Sequence, residues 1–166
     1  MITIEFDRLL DARVDATLER LSKAVGNLQP TNDDIGAYLV GSTQRRFALQ
    51  HGPDGTPWKP SIRAREESGQ TLLKSRRLHD TIAHRATSDT IEVGSNLIYA
   101  GVHQLGATIH AKNVKNLKFR IGDRWISKPS VTIPARPFLG IDAEDIEEID
   151  GIVMLHLQDA VDGKPA

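Results

Sequence analysis

The six histidines are where chemistry would be sought first in this chain of 166 residues. Tyr99 and His103 stand four residues apart, and His110 follows shortly after. On a helix that interval places the first two side chains on one face, where a metal ion or a proton-transfer pair could sit. The usual zinc donor sets are missing, however. There is no HExxH, no pair of carboxylates at a matching interval and no cysteine, so neither metalloprotease nor thiolate sites are available. A partly buried histidine beside a core tyrosine explains the pair without a ligand. Nucleophilic catalysis has no better support. The chain lacks a GxSxG elbow, and its glycines occur singly rather than in a phosphate-cradling loop. The expectation is a protein that is not an enzyme and holds no cofactor or metal.

Charge is more informative. The formal net charge is −1, which removes any global electrostatic argument for DNA or membrane binding. The distribution is uneven. Lys112, Lys115, Lys118, Arg120, Arg124, Lys128 and Arg136 are opposed over that stretch only by Asp123. Directly after it come Asp142, Glu144, Asp145, Glu147, Glu148 and Asp150, with no base among them. Two solvated faces would account for this. A second reading is a contact between the basic arm of one subunit and the acidic helix of the next, which would close into a ring. A third is nucleic-acid binding by the basic arm, with Phe119 and Trp125 interleaved among the cations.

The elements that must position these charges follow from periodicity and punctuation. Ile4 to Val25 reads as an amphipathic helix, with Phe6, Leu9, Leu10, Val14, Leu18, Leu21 and Val25 at three- and four-residue steps. Gly26-Asn27 would cap it and Pro30 would stop it. A second helix is expected from Thr31 or Asn32, with Asp33 and Asp34 in its first turn. Its apolar face would be Ile35, Leu39, Val40, Phe47 and Leu49, and Gly52 would end it. Residues 51–61 form a loop with a Pro53-Asp54-Gly55 turn, and Trp58 would cover a core edge. Arg63 to Arg77 reads as polar and mobile at its start. A short helix from about Leu72 would carry Leu78, Ile82 and Ala83.

Thr90 to Gly94 alternates as a strand. Ser95 or Asn96 would cap a short helix holding Tyr99, Ala100, His103 and Leu105, closed by Gly106. Leu117, Phe119 and Ile121 alternate toward Gly122-Asp123, so a β-hairpin is expected, its return strand beginning at Trp125. This gives a basic arm over residues 108–132, followed by a short strand in "SVTI". Asp142 would cap a final helix to about Val161, and "DGKPA" would fray. Helices followed by short strands mixed with helices indicate an α+β fold: one domain over residues 1–166, with two N-terminal helices, a small antiparallel sheet including the hairpin, and a C-terminal helix. The first residues carry acids and no apolar signal core, so no signal peptide is expected. No apolar run is long enough for a bilayer, so no membrane partner is expected either.

Four stretches carry a family resemblance: "GPDGTPWKP" (Gly52 to Pro60), "LLKSRRLHDTIAHRA" (Leu72 to Ala86), "EVGSNLIYAGVHQLGA" (Glu92 to Ala107) and "IPARPFLGI" (Ile133 to Ile141). In this order and spacing they resemble the phage virion morphogenesis proteins, the Mu G-like tail completion family of tailed phages and their prophages. The matching positions are Gly52, Asp54, Gly55, Trp58, Gly94, Tyr99, Ala100, Gly106, Pro134, Arg136, Pro137 and Phe138. Members often carry a Gly-x-Leu where "SRRLHDTI" stands, and Arg77 replaces that glycine, which puts the turn before the short helix in question. The resemblance implies a structural role at the neck or head-proximal end of a tail. It also implies a homo-oligomeric ring, hexameric or larger. The implied partners are other neck, connector or tail tube proteins and, by contact in the channel, genomic DNA. The implied location is the virion, after synthesis in the bacterial host cytoplasm. No catalytic residues come with it. In "IPARPFLGI" the prolines hold Ile133 and Arg136 extended, Phe138 and Leu139 would enter the core, and Arg136 would project where the basic and acidic regions meet.

Overall fold

The computed structural model describes residues 8–112, 114–121 and 124–164. Ile4 to Asp7 of the expected first helix and the Gly122-Asp123 turn lie outside these. The chain begins with helices α1 (Arg8–Gly26) and α2 (Gln29–Leu49), then α3 (Ile62–Glu66) and α4 (Arg77–Asp80). Next come strands β1 (Ala83–Ala86) and β2 (Ile91–Gly94), helix α5 (Ala100–Leu105), and strands β3 (Ala107–His110), β4 (Leu117–Ile121), β5 (Arg124–Lys128) and β6 (Ser130–Ile133). Helix α6 (Ala143–Asp162) closes the fold. The class is α+β as expected. The described strands pair as three separate two-stranded antiparallel ladders, β1–β2, β3–β6 and β4–β5, rather than as one small sheet.

Several boundaries differ from the sequence reading. Pro30 does not separate the helices but sits in the first turn of α2, where its missing N–H is no loss and its φ suits the helix. Asp33 and Asp34 are therefore further in, and they bond His84 of β1 at 3.0 Å and His156 of α6 at 2.8 Å. Helix α2 stops before Gly52, because Gln50 takes the left-handed cap with φ 62. The Gln50 side chain secures that turn by pairing with the Thr71 backbone, accepting its N–H at 2.6 Å and donating to its carbonyl at 3.0 Å. Along the buried face of α2, Leu49 is exposed, and Ser42, Thr43 and Arg46 are buried with Ile35 and Phe47. In α1 the expected core stripe is largely outside, with Val14, Leu18 and Val25 all exposed. Helix α1 packs against α6.

Residues 62–83 are the largest departure. Ser61 caps α3 by accepting the Ala64 N–H at 3.1 Å, so a helical turn stands where a mobile run was expected. Leu72 has φ 64 and begins no helix. Ala83 opens β1, which pairs with β2 from Ala83–Gly94 to Ala86–Ile91. The left-handed residue before α4 is Arg76, φ 56, one position ahead of Arg77. Its surface pair with Asp80 at 3.7 Å contributes little, whereas a non-glycine residue is disfavoured there. Arg76→Gly is therefore expected to stabilise the fold by about 0.5–1 kcal/mol in urea unfolding; a loss of stability would show that the pair outweighs the strain.

The core gathers Phe47, Trp58, Leu78, Ile82, Ala100 and Phe138. Trp58 lies inside it, its ring edge-on to Phe47 at 5.3 Å, and Phe47 meets Phe138 at 5.4 Å. Residues 134–142, between β6 and α6, adopt no regular structure, so their backbone needs partners from elsewhere. Side chains supply several. Trp58 Nε1 donates to Pro137 O at 2.8 Å. Gln104 of α5 accepts the N–H groups of Phe138 and Leu139, both at 3.0 Å, and donates to Leu139 O at 2.9 Å. Arg46 donates to the carbonyls of Phe138 at 3.2 Å and Gly140 at 2.8 Å. A Cβ on Gly140 would lie 2.5 Å from Pro53 Cγ, so this residue lets the 51–61 loop close over the joint.

At the far end of α6, Arg20 of α1 donates to Ala160 O at 3.1 Å and Val161 O at 3.0 Å. Gly163 caps the helix in the left-handed conformation, and Lys164 pairs with Asp159 at 2.8 Å. Residues 162–164 are thus tied down where fraying was expected.

Candidate assembly surfaces

The acidic start of α6 has two sides. Asp142 caps the helix, accepting the Asp145 N–H at 2.9 Å, and Asp145 returns the bond to the Asp142 N–H at 3.0 Å. This reciprocal box matches the expected cap. Asp145, counted from sequence among the surface acids, is instead fully buried. It accepts from Ser42 and pairs with Arg46, whose Nη2 also reaches Asp142 at 3.0 Å. Asp145 thus binds within the subunit and is no contact residue. Burial alone would raise the Asp142 carboxyl. The Asp145 N–H and the Arg46 guanidinium instead hold it below its ordinary value of 3.8.

The pH consequence has a definite sign. The unfolded chain takes up this proton more readily than the folded one, so the stabilisation is present above about pH 4 and is lost as pH falls further. Thermal unfolding between pH 5 and pH 3 is expected to show a falling Tm whose slope is reduced in Asp142→Asn; an unchanged slope would contradict this.

The other acids face outward. Glu144 pairs with Arg45 of α2 at 3.3 Å. Glu147, Glu148 and Asp150 are exposed, and among them lie the exposed apolar residues Ile146, Met154 and Leu155. This side of α6 is both acidic and apolar.

The basic residues divide as well. Lys112 and Lys115 are exposed between β3 and β4. In the β4–β5 hairpin Lys118 opposes Ser127 and Arg120 opposes Trp125, so these four share one face. Trp125 is 75% exposed there. Arg124 and Lys128 fall on the opposite face, in register with Ile121 and Leu117. Arg136, expected to project, is only 5% exposed. Its N–H donates to His103 O at 2.7 Å and its Nε to Lys59 O at 2.7 Å, which turns the side chain inward. It borders a cleft of about 820 Å³ between residues 59–74 on one side and β4 with β6 on the other, with His103 also on its wall.

Most other family positions shape the frame around this cleft. Gly52 and Gly55 close the Pro53-Asp54 turn through a 3.0 Å bond, and Asp54 accepts the Thr56 N–H at 3.0 Å. Gly94 ends β2 opposite Ala83. Gly106, φ 73, closes α5 where a Cβ would stand 2.8 Å from Ala135 N. Trp58, Ala100 and Phe138 are core, Pro137 is held by Trp58, and Pro134 lines the cleft. Tyr99 precedes α5 rather than lying within it and meets the His103 ring edge-on at 5.9 Å. His110 ends β3 opposite Ser130. Among the described residues no cluster of three or more His, Asp or Glu is placed to hold a metal, and no helix is long and apolar enough to cross a membrane. Sequence reading missed Arg46, Gln104 and Gln50. Only Arg46 left a signal there, because it falls on the same face of α2 as Ile35, half-buried Leu39 and Thr43.

The fold thus carries a basic cleft and, on α6, a separate acidic and apolar face. The chain belongs to the phage virion morphogenesis family, whose model matches residues 9–158. It is 29% identical over 154 residues to tail completion protein S of Escherichia phage P2, covering 84% of this chain and 94% of that protein. It is 27% identical over 149 residues to the Mu-like prophage FluMu G protein 2 of Haemophilus influenzae, covering 90% of this chain and 91% of that one. No solved structure matches the chain.

Proposed function

We propose that this chain is a structural virion protein of the neck or head-proximal tail end, where copies form a ring, hexameric or larger, that completes the tail and joins it to the head. It acts by contact, without catalysis or cofactor, on other neck, connector or tail tube proteins. The observation that carries this reading is the match along 94% of a protein named for tail completion. The separation of the basic cleft from the outer face of α6 supports the ring, because a head-to-tail contact needs two different surfaces on each copy. Copy number tests the structural role. Purified chain added to particles assembled without it should restore joined particles and remain in them at a fixed number per virion. Restoration by trace amounts absent from the finished particle would indicate a catalyst or a chaperone instead.

A second reading rests on the exposed hairpin face, where Trp125 stands opposite Arg120 and beside Lys118. Such a face suits stacking and phosphate contact with DNA. Under that reading single-stranded DNA affinity falls steeply with salt and drops further in Lys118→Ala/Trp125→Ala. Absence of binding at low salt would end it.

A further inference from the structure

Arg136 is only 5% exposed and makes no ion pair among the described residues. Its Nε is satisfied by Lys59 O at 2.7 Å, and among the described residues its Nη groups meet no acceptor. His103 lies on the wall of the same cleft, and its Nδ1 is buried with no hydrogen-bond partner. A guanidinium this shielded favours an anion in the cleft, and the unmet His103 Nδ1 on the same wall points to a missing partner.

The walls define what that ligand is. Among the described residues, Lys59, Arg63, Arg65, Lys74 and Arg136 line the cleft against one acid, Glu67. Glu67 is already engaged by Arg63 at 3.4 Å and Lys74 at 3.5 Å. Ile62, Phe119, Ile121, Val131 and Ile133 supply apolar surface between the cations. The occupant must therefore be anionic and apolar together. A nucleic-acid backbone meets the first requirement but not the second. The outer face of α6 meets both. Glu147, Glu148 and Asp150 make no ion pair among the described residues, and Ile146, Met154 and Leu155 are each more than half exposed beside them.

We propose that the cleft bordered by Arg136 and His103 receives the outer face of α6 from a second copy of this chain, with a carboxylate of Glu147, Glu148 or Asp150 meeting the Arg136 guanidinium. This deepens the ring reading and rests on it. The contact is heterologous: each copy offers its α6 to one neighbour and its cleft to the other, which is the arrangement that closes a ring. Burial holds the His103 imidazole below its ordinary value, with Arg136 adding to the effect, and burial likewise lowers Arg136. A docked carboxylate would oppose both shifts.

The chain has no cysteine, so disulfide trapping on it is unambiguous. Ile62 and Met154 are both exposed, so single cysteines there leave the core untouched. Mixing Ile62→Cys with Met154→Cys protein under mild oxidation, with and without tail tubes, should give a mixed dimer that neither variant gives alone. The double variant should give a ladder of linked copies. Glu147→Arg/Glu148→Arg should reduce trapping by about tenfold or more, and adding Arg65→Glu/Lys74→Glu in the partner should restore it. If native mass spectrometry shows oligomers but the mixed pair never links, the cleft assignment fails while the ring stands. If no oligomer forms even on tail tubes, both fail. If an oligonucleotide protects Arg65 and Lys74 from chemical modification and reversal of Glu147 and Glu148 changes nothing, the cleft is a phosphate site and the proposal is overturned.

Discussion

Replacing Arg46 with methionine is expected to remove about 3–5 kcal/mol of folding stability, a large part of what a domain of this size possesses. The Arg46 and Asp145 side chains are 3% and 1% exposed. The guanidinium also holds Asp142 and the carbonyls of Phe138 and Gly140. Without it the Asp145 carboxylate stays buried with only Ser42 and the Asp142 N–H, and two carbonyls lose their donor. Arg46→Lys should recover little, since one ammonium cannot reproduce a planar fork that spans two carboxylates and two carbonyls. The pair itself is isolated by a double-mutant cycle with Asp145→Asn. The second change should cost much less in the Arg46→Met background than alone, giving a coupling of about 1–3 kcal/mol in urea unfolding. A loss below about 1 kcal/mol for Arg46→Met would show that the buried cluster contributes little net stability.

Phe138→Ala should be comparably damaging, at about 3–5 kcal/mol. The cost of such a truncation depends on how far the surroundings can collapse into the space left. Here collapse is restrained. The backbone on either side of Phe138 is fixed by Trp58, Gln104 and Arg46, and the facing Phe47 ring is held edge-on against Trp58. Phe138→Leu, which keeps most of the apolar volume, should cost about half as much. If the alanine variant loses less than about 2 kcal/mol, the 134–142 segment is more yielding than its hydrogen bonds imply. Because this segment seats α6, either variant should also reduce assembly in proportion to unfolding, whereas surface changes at Glu147 or Glu148 should affect assembly alone.

The features legible in the sequence were those set by local rules. Asp142 was identifiable as a cap because an acid there precedes a long periodic segment. Pro53-Asp54-Gly55 announced its turn, and the alternation of Leu117, Phe119 and Ile121 announced the β4–β5 pairing. The missed elements depend on distant partners. Strand β1, "AHRA", has no apolar alternation and exists because β2 and α2 lie against it. Strand β3 is drawn in by β6, from Ala107–Ile133 to His110–Ser130. Gln50, Gln104 and Arg46 bond mainly backbone groups about 20 to 100 residues away, and a side chain aimed at a distant carbonyl leaves no periodic trace. The same limit misplaced Arg136 and Asp145. Charge alone suggested that both face solvent, yet one borders a cleft and the other joins α6 to α2. The stiff joint read in "IPARPFLGI" is present, and its rigidity comes as much from the Trp58, Gln104 and Arg46 side chains as from its prolines.

The most direct test is cryo-electron microscopy of intact particles carrying this protein. The account predicts a closed ring of six or more copies at the neck or the head-proximal end of the tail, with the outer face of α6 in each copy against the cleft of the next. Density for the protein at the baseplate or in the shell, or its absence from finished particles, would contradict it.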